Sequence, residues 1–126
     1  MPRDLKVKTV LIIEDEANVR NFASRVLELE GYRVLQAENG DDGLTLAREN
    51  EVNLVLLDLR MPGIDGWGVL EQMKIEPALS AVPVIVFTSS AELPQRQRAF
   101  RMGAADYLVK PLSAAGLKRA VTCILR

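Results

Sequence analysis

The chain has 126 residues and a formal net charge of −1, with nearly half its residues apolar and a quarter charged. That is the profile of one globular domain with no global pull toward nucleic acid or an anionic membrane surface. Histidine is absent and Cys123 is the only cysteine, which excludes His-based zinc sites, Ser-His-Asp triads, a phosphohistidine on this chain and an internal disulfide.

No apolar stretch approaches the roughly 20 residues that cross a bilayer, and residues 1–8 lack the apolar stretch of a secretory signal. Together with the lone cysteine, this predicts a cytoplasmic, reducing setting. No repeat, linker or low-complexity segment divides the chain. One domain spanning 1–126, with its core at about 8–125 and no output domain, is expected.

Strand-like and helix-like segments alternate along the whole length. Residues 9–13 form the first apolar run. A helix follows, with Val19, Phe22, Val26 and Leu29 at three- or four-residue spacing as its inward face, and stops at Gly31, a left-handed cap position. Residues 32–37 read as a shorter, half-polar strand suited to a sheet edge. Asn39-Gly40 turns the chain into a second helix that ends near Asn50. Residues 53–58 are the third strand, with the unbroken Leu54-Val55-Leu56-Leu57 interior of a strand buried on both faces. A loop at 61–66 carries Pro62, Gly63 and Gly66. Residues 67–75 are helical, with Val69, Leu70 and Met73 inward. Residues 82–88 are the fourth strand, again apolar on both faces. Pro94 suits the first turn of a helix that runs to about Met102. Residues 106–109 are the fifth strand. Ser113 caps a last helix with Leu117, Ala120, Val121, Ile124 and Leu125 on one side, where Cys123 is expected as a small packing residue.

Five βα units require right-handed crossovers and a parallel sheet covered on both faces. The apolar first, third and fourth strands belong at the centre. The expected fold is therefore an α/β, flavodoxin-like, doubly wound five-stranded parallel sheet of order 2-1-3-4-5; a barrel needs about eight units.

The strand ends carry the chemistry. The first strand ends in Glu14-Asp15, the third in Asp58, the fourth in Thr88 and the fifth in Lys110. In an open parallel sheet all of these meet at one edge, where ligands bind. Two unit charges about 5 Å apart repel by roughly 3 kcal/mol at an effective dielectric near 20. Three close carboxylates therefore cost on the order of 10 kcal/mol, comparable to a whole domain's stability. Either they partly protonate or a cation sits among them. Oxygen ligands without His or Cys favour Mg²⁺ or Mn²⁺, and Mg²⁺ commonly shares its shell with phosphate. Asp58, closing the central strand before a loop, is the candidate nucleophile for an aspartyl-phosphate. Lys110 and Thr88 are candidates to hold the phosphoryl oxygens.

Over nearly its whole length the chain resembles the receiver domain of two-component response regulators, of the single-domain chemotaxis-receiver type. The resemblance rests on Glu14-Asp15; on Asp58-Leu59-Arg60-Met61-Pro62-Gly63-Ile64-Asp65-Gly66; on Thr88-Ser89-Ser90; and on Gly103-Ala104-Ala105-Asp106-Tyr107-Leu108-Val109-Lys110-Pro111. It implies Asp58 as the phosphorylated residue. Glu14, Asp15, Asp58 and the backbone carbonyl of Arg60 become the Mg²⁺ ligands, with Asp15 direct and Glu14 through water. Thr88 becomes the switch hydroxyl, Lys110 the phosphate-binding lysine, Tyr107 the aromatic switch and Lys110-Pro111 a cis bond. Glu14 departs mildly from the commoner Asp. Arg60 and Ser90 stand where the family tunes phosphoryl lifetime, and neither supplies an acid or amide to orient a hydrolytic water.

The resemblance also implies the partners. A sensor histidine kinase or histidine phosphotransfer protein donates. A downstream target or fused output domain reads the face formed by the fourth helix, fifth strand and fifth helix. No direct nucleic-acid or membrane partner is expected, and the chain is a phosphoacceptor that assists its own phosphorylation and dephosphorylation, not an enzyme. The fourth helix, with Arg96, Arg98 and Arg101 and little apolar content beyond Phe100 and Met102, is either a solvated face or a lightly anchored element that moves with Tyr107 and meets an acidic partner. Tyr107 itself reads as a switch or as a core aromatic, and Trp67 as a surface or partly buried residue near the site.

Three rivals compete. An aspartyl-nucleophile phosphatase of the haloacid-dehalogenase type carries Asp-x-Asp after its first strand, whereas here Asp58-Leu59-Arg60 follows the third. A flavin module needs a phosphate loop where this chain has the acidic Glu14-Asp15-Glu16. A receiver-like binding module that never meets phosphate is the third.

Overall fold

Strands and helices alternate strictly: β1 (Thr9–Ile13), α1 (Ala17–Leu29), β2 (Arg33–Ala37), α2 (Gly40–Glu49), β3 (Leu54–Asp58), α3 (Gly66–Ile75), β4 (Val84–Thr88), α4 (Leu93–Arg101), β5 (Asp106–Val109) and α5 (Ala114–Leu125). The computed structural model describes residues 6–61 and 63–126. Most of the polar opening segment, and Pro62 of the third loop, lie outside the described residues. Among the described residues no helix is long and apolar enough to cross a membrane.

The five strands form one parallel sheet of order β2-β1-β3-β4-β5. Alternation along the central strands divides their side chains between two cores. Val10, Ile12, Leu54, Leu56, Ile85 and Phe87 face α1 and α5. Leu11, Ile13, Val55, Leu57, Val84 and Val86 face α2, α3 and α4. All twelve are 0% exposed, and full burial of one such side chain stabilises by about 1.5–3 kcal/mol. The expected central strands are thus central. The half-polar β2 sits on the edge, its Arg33 and Gln36 exposed.

The caps explain where three helices begin. Asn39, Asp65 and Ser113 each accept a backbone N–H three residues on, from Asp42, Gly68 and Gly116 at 2.8–2.9 Å, satisfying donors that the first turn leaves orphaned. Gly31, after α1, has φ +93°, a left-handed conformation that a side chain disfavours. Gly43 lets α2 lie directly on β1: a Cβ there would collide with Ile13 Cδ1 and stand 2.7 Å from its Cγ1.

Two sequence expectations are corrected. The buried stripe of α1 is Ala23, Ser24, Val26 and Leu27, whereas Phe22 is 41% and Leu29 79% exposed. Ala23 and Ser24 lie on the sheet side together with Val26 and Leu27, so the buried face is turned away from Phe22 and Leu29. Cys123 is exposed. The inward face of α5 is Leu117, Ala120, Val121 and Leu125, and position 123 falls on the opposite side at 100° per residue.

Candidate functional site

Parallel register brings the strand ends together. Ile13 pairs with Leu57, Asp58 with Phe87, and Thr88 with Val109. Glu14, Asp58, Thr88 and Lys110 therefore emerge at the carboxyl edge of four adjacent strands. Backbone bonds hold that edge in place: the Glu14 amide donates to the Ala37 carbonyl at 3.0 Å and the Lys110 amide to the Thr88 carbonyl at 2.8 Å. Glu14 is 0% and Asp58 2% exposed, which is rare for carboxylates, and the Thr88 hydroxyl is buried beside them at 0%.

Carboxylate oxygens of Glu14, Asp15 and Asp58 lie within 4.8 Å of one another, with Asp15 the exposed member. Lys110 enters this cluster. Its Nζ stands 2.8 Å from Glu14 Oε1 and 3.2 Å from Asp58 Oδ2, donating a hydrogen bond to the latter. The other Glu14 oxygen accepts the Glu16 amide at 2.9 Å. The Lys110 ammonium at 2.8 Å is the one partner of the buried Oε1 among the described residues.

Burial pushes the Glu14 carboxyl up to about 7. Lys110 and the Glu16 amide pull it down, and the neighbouring Asp58 charge pushes it further up. Burial alone would lower the Lys110 ammonium; the two carboxylates outweigh it and hold the ammonium above its usual range. The repulsion expected from the sequence is thus relieved in two ways at once, by the Lys110 cation and by the readiness of Glu14 to hold a proton.

The segment after β3 wraps the same acid. The Arg60 amide donates to Asp58 Oδ1 at 3.0 Å, the Leu59 amide to the Phe87 carbonyl at 3.3 Å, and the Gly66 amide to the Leu59 carbonyl at 3.2 Å. The Arg60 side chain is exposed. Thr88 Oγ1 accepts the Ser90 amide at 3.4 Å. Tyr107 is 4% exposed, and its hydroxyl donates to the Ser90 carbonyl at 2.8 Å, so the ring is tied to the β4–α4 loop. The Lys110–Pro111 peptide is cis.

Sequence reasoning missed several supporting residues. Arg20 on α1 donates to the Glu14 carbonyl at 2.8 Å and to Gln36 Oε1 at 3.1 Å, fixing the β1 end from beneath. A groove of about 510 Å³ opens beside Lys110, lined mainly by apolar surface of Val19, Phe22, Pro111 and Leu112; no sequence signal marks it, since Phe22 is expected to face inward. Trp67 carries the Arg98 guanidinium over its ring, Cζ 4.1 Å from the centroid. The buried anchor of α4 is Ala99, not Phe100, which is 40% exposed.

An acid pair after β1, a buried aspartate after β3, a hydroxyl after β4 and a lysine after β5, on a 2-1-3-4-5 sheet, define a receiver-type site. Residues 10–122 match the family model of the response regulator receiver domain, and the chain belongs to that family, the receiver domains of two-component signalling. Protein PilH of Pseudomonas aeruginosa is 35% identical over 116 residues, covering 92% of this chain and 96% of that protein. The probable transcriptional regulator ycf27 of Porphyridium aerugineum is 35% identical over 122 residues, covering 97% of this chain and 50% of that protein. The chain therefore spans about half the length of several relatives it matches. The fold superposes on chemotaxis protein CheY4 of Vibrio cholerae with a TM-score of 0.90 at 23% identity, covering 95% of this chain and all of that one.

Proposed function

We propose that this chain is a phosphorylatable signalling switch in which Asp58 accepts a phosphoryl group from a phosphohistidine on a sensor histidine kinase or phosphotransfer protein. The observation that carries it is the placement of the Lys110 ammonium between two buried acids, 2.8 Å from Glu14 and 3.2 Å from Asp58. A structural ion pair needs one acid. The second acid, and the third at Asp15, make sense as sites for charge that arrives.

The donor set fits a divalent cation. It is all oxygen, and three carboxylates approach within 4.8 Å of one another with Lys110 the one ammonium among them. Glu14, Asp15, Asp58 and the Arg60 carbonyl would hold Mg²⁺ or Mn²⁺, which supplies charge neutralisation to phosphoryl oxygens when bound. An Asp58 carboxylate oxygen attacks phosphorus, the P–N bond to the donor imidazole breaks, and the imidazole leaves with the electron pair and takes up a proton. Lys110 and Thr88 then hold phosphoryl oxygens. The same site lets water reverse the modification. The groove beside Lys110 supports a donor that approaches across α1 and the β5–α5 turn.

The added charge draws Thr88 and Lys110 toward Asp58, and the β4–α4 loop follows through Ser90. Tyr107, bonded to that loop, repacks. The face of α4, β5 and α5 then changes its affinity for a downstream target or a fused output domain. Residues 8–125 act as one receiver unit in this scheme. Intact mass after incubation with acetyl phosphate and MgCl₂ tests it. A gain of about 80 Da, one phosphoryl group, is expected in the wild type and not in Asp58→Asn. No gain, or a gain that survives the substitution, overturns the proposal.

A further inference from the structure

We propose that Arg98 is a positioning residue that couples α4 to the Asp58 loop through Trp67, giving α4 a second link to the site besides Tyr107. The inference rests on Asp58 being the phosphoryl acceptor. It begins with how weakly α4 is otherwise held. Ala99 is its one buried residue, and among the described residues no ion pair involves it. What grips it are two guanidinium–aromatic contacts. Arg98 Cζ lies 4.1 Å from the centroid of Trp67 on α3, and Arg96 Cζ lies 5.8 Å from that of Tyr107 on β5. Residues two apart on a helix project about 200° apart, so these two arginines hold opposite flanks.

Trp67 is well placed to carry displacement. It is half-buried against the core cluster that contains Leu59, Met61, Ala99 and Tyr107. It directly follows Gly66, whose amide donates to the Leu59 carbonyl at 3.2 Å and whose α-carbon leaves no room for a methyl beside the Asp58 carbonyl. With no slack between Gly66 and the Asp58–Leu59 backbone, any displacement of that backbone passes to the start of α3 and carries the Trp67 ring with it. The guanidinium stacked on that ring is the charged group of α4 in contact with it. With so little apolar anchoring, α4 has low local stability, and a contact that shifts its equilibrium about two- to five-fold sets its position.

The experiment uses Trp67, the only tryptophan, as reporter, with intact mass measured on the same samples. In the wild type, MgCl₂ followed by acetyl phosphate is expected to change Trp67 emission and the hydrogen exchange of residues 93–101. Arg98→Ala should accept the phosphoryl group to the same extent by mass, yet its exchange response in 93–101 should fall by about two- to five-fold. Arg98→Lys, which keeps the charge but not the planar stack, should recover part of the response. An Arg98→Ala protein that carries the adduct and responds like the wild type overturns the coupling alone. A wild type that gains no mass overturns the acceptor reading and the coupling together.

Discussion

The backbone of Gly66 lies flat against the carbonyl of Asp58. A Cβ on Gly66 would collide with that oxygen and with the Cα of Leu59, and would come within 2.9 Å of the Leu59 carbonyl carbon. All three atoms are backbone, so no rotamer relieves the clash. Gly66→Ala should destabilise the fold by about 2 kcal/mol, as overpacking of a rigid site does, and should shift the Trp67 emission maximum. Gly68→Ala on the same helix meets its nearest neighbour, the Ile64 Cγ1, at 3.1 Å, and its helix-propensity gain of up to about 1 kcal/mol offsets the crowding. Urea midpoints of the two variants decide the matter. Equal midpoints would show that the Asp58–Gly66 contact yields easily.

Lys110 should act in opposite directions on stability and on cation binding. Its ammonium is the only cation paired with the Glu14 and Asp58 carboxylates among the described residues. In Mg²⁺-free buffer, Lys110→Met leaves two buried acids facing each other and should cost about 3 kcal/mol. The same ammonium repels an incoming divalent ion, so the variant should bind Mg²⁺ more tightly. Titrating MgCl₂ into both proteins at constant ionic strength, followed by Trp67 emission and by thermal midpoint, checks both halves. Weaker Mg²⁺ binding in the variant would mean that Lys110 assembles the acids instead of competing for them.

Tyr107 is fixed by its hydroxyl as well as its ring. Removing the 2.8 Å bond to the Ser90 carbonyl with Tyr107→Phe should cost about 1 kcal/mol, because the ring still fills its place in the core cluster that contains Val86 and Ala99. Tyr107→Ala should cost about 3–5 kcal/mol by opening a cavity. Faster hydrogen exchange in residues 89–92 should accompany the Phe variant. Unchanged exchange there would detach the hydroxyl from the β4–α4 loop and weaken its place in the switch.

Sheet order, and the meeting of Glu14, Asp58, Thr88 and Lys110 at one sheet edge, are legible because they depend on signals of short range. Unbroken aliphatic runs mark the central strands, and the polar residue after each run marks the ligand edge once the strands are parallel. What could not be read depends on phase and on distant pairs. On α1, Val19 and Val26 pack as their spacing predicts, but Phe22 and Leu29 do not, because they carry more hydrophobicity than Ala23 and Ser24, although the small pair packs on the sheet. Cys123 followed the same error, composition standing in for helical phase. The bridge from Lys110 to Glu14 joins residues 96 positions apart, and the Arg98–Trp67 stack joins two helices across a strand. No periodicity encodes either contact.

The last prediction concerns a carboxylate far from the site that pins the end of α2 to the end of α3. Glu76 accepts from Arg48 Nε at 2.9 Å and Nη2 at 2.7 Å, and from Gln72 Nε2 at 3.0 Å. The paired guanidinium first, and the Gln72 amide second, draw its carboxyl from an ordinary 4.5 down to about 2. A carboxyl with a lower folded than unfolded pKa stabilises the fold above the unfolded value, and the contribution disappears as pH falls through the folded one. The thermal-midpoint gap between wild type and Glu76→Gln should therefore be widest above pH 5 and close progressively toward pH 2. Because the bond is bidentate and partly shielded, moderate salt should reduce the gap without abolishing it. Carbon-13 NMR of the Glu76 carboxyl gives the direct check: a midpoint near 2 in the wild type, moving up toward the ordinary range in Arg48→Ala. A wild-type midpoint near 4.5 would show that the pair is not held in solution.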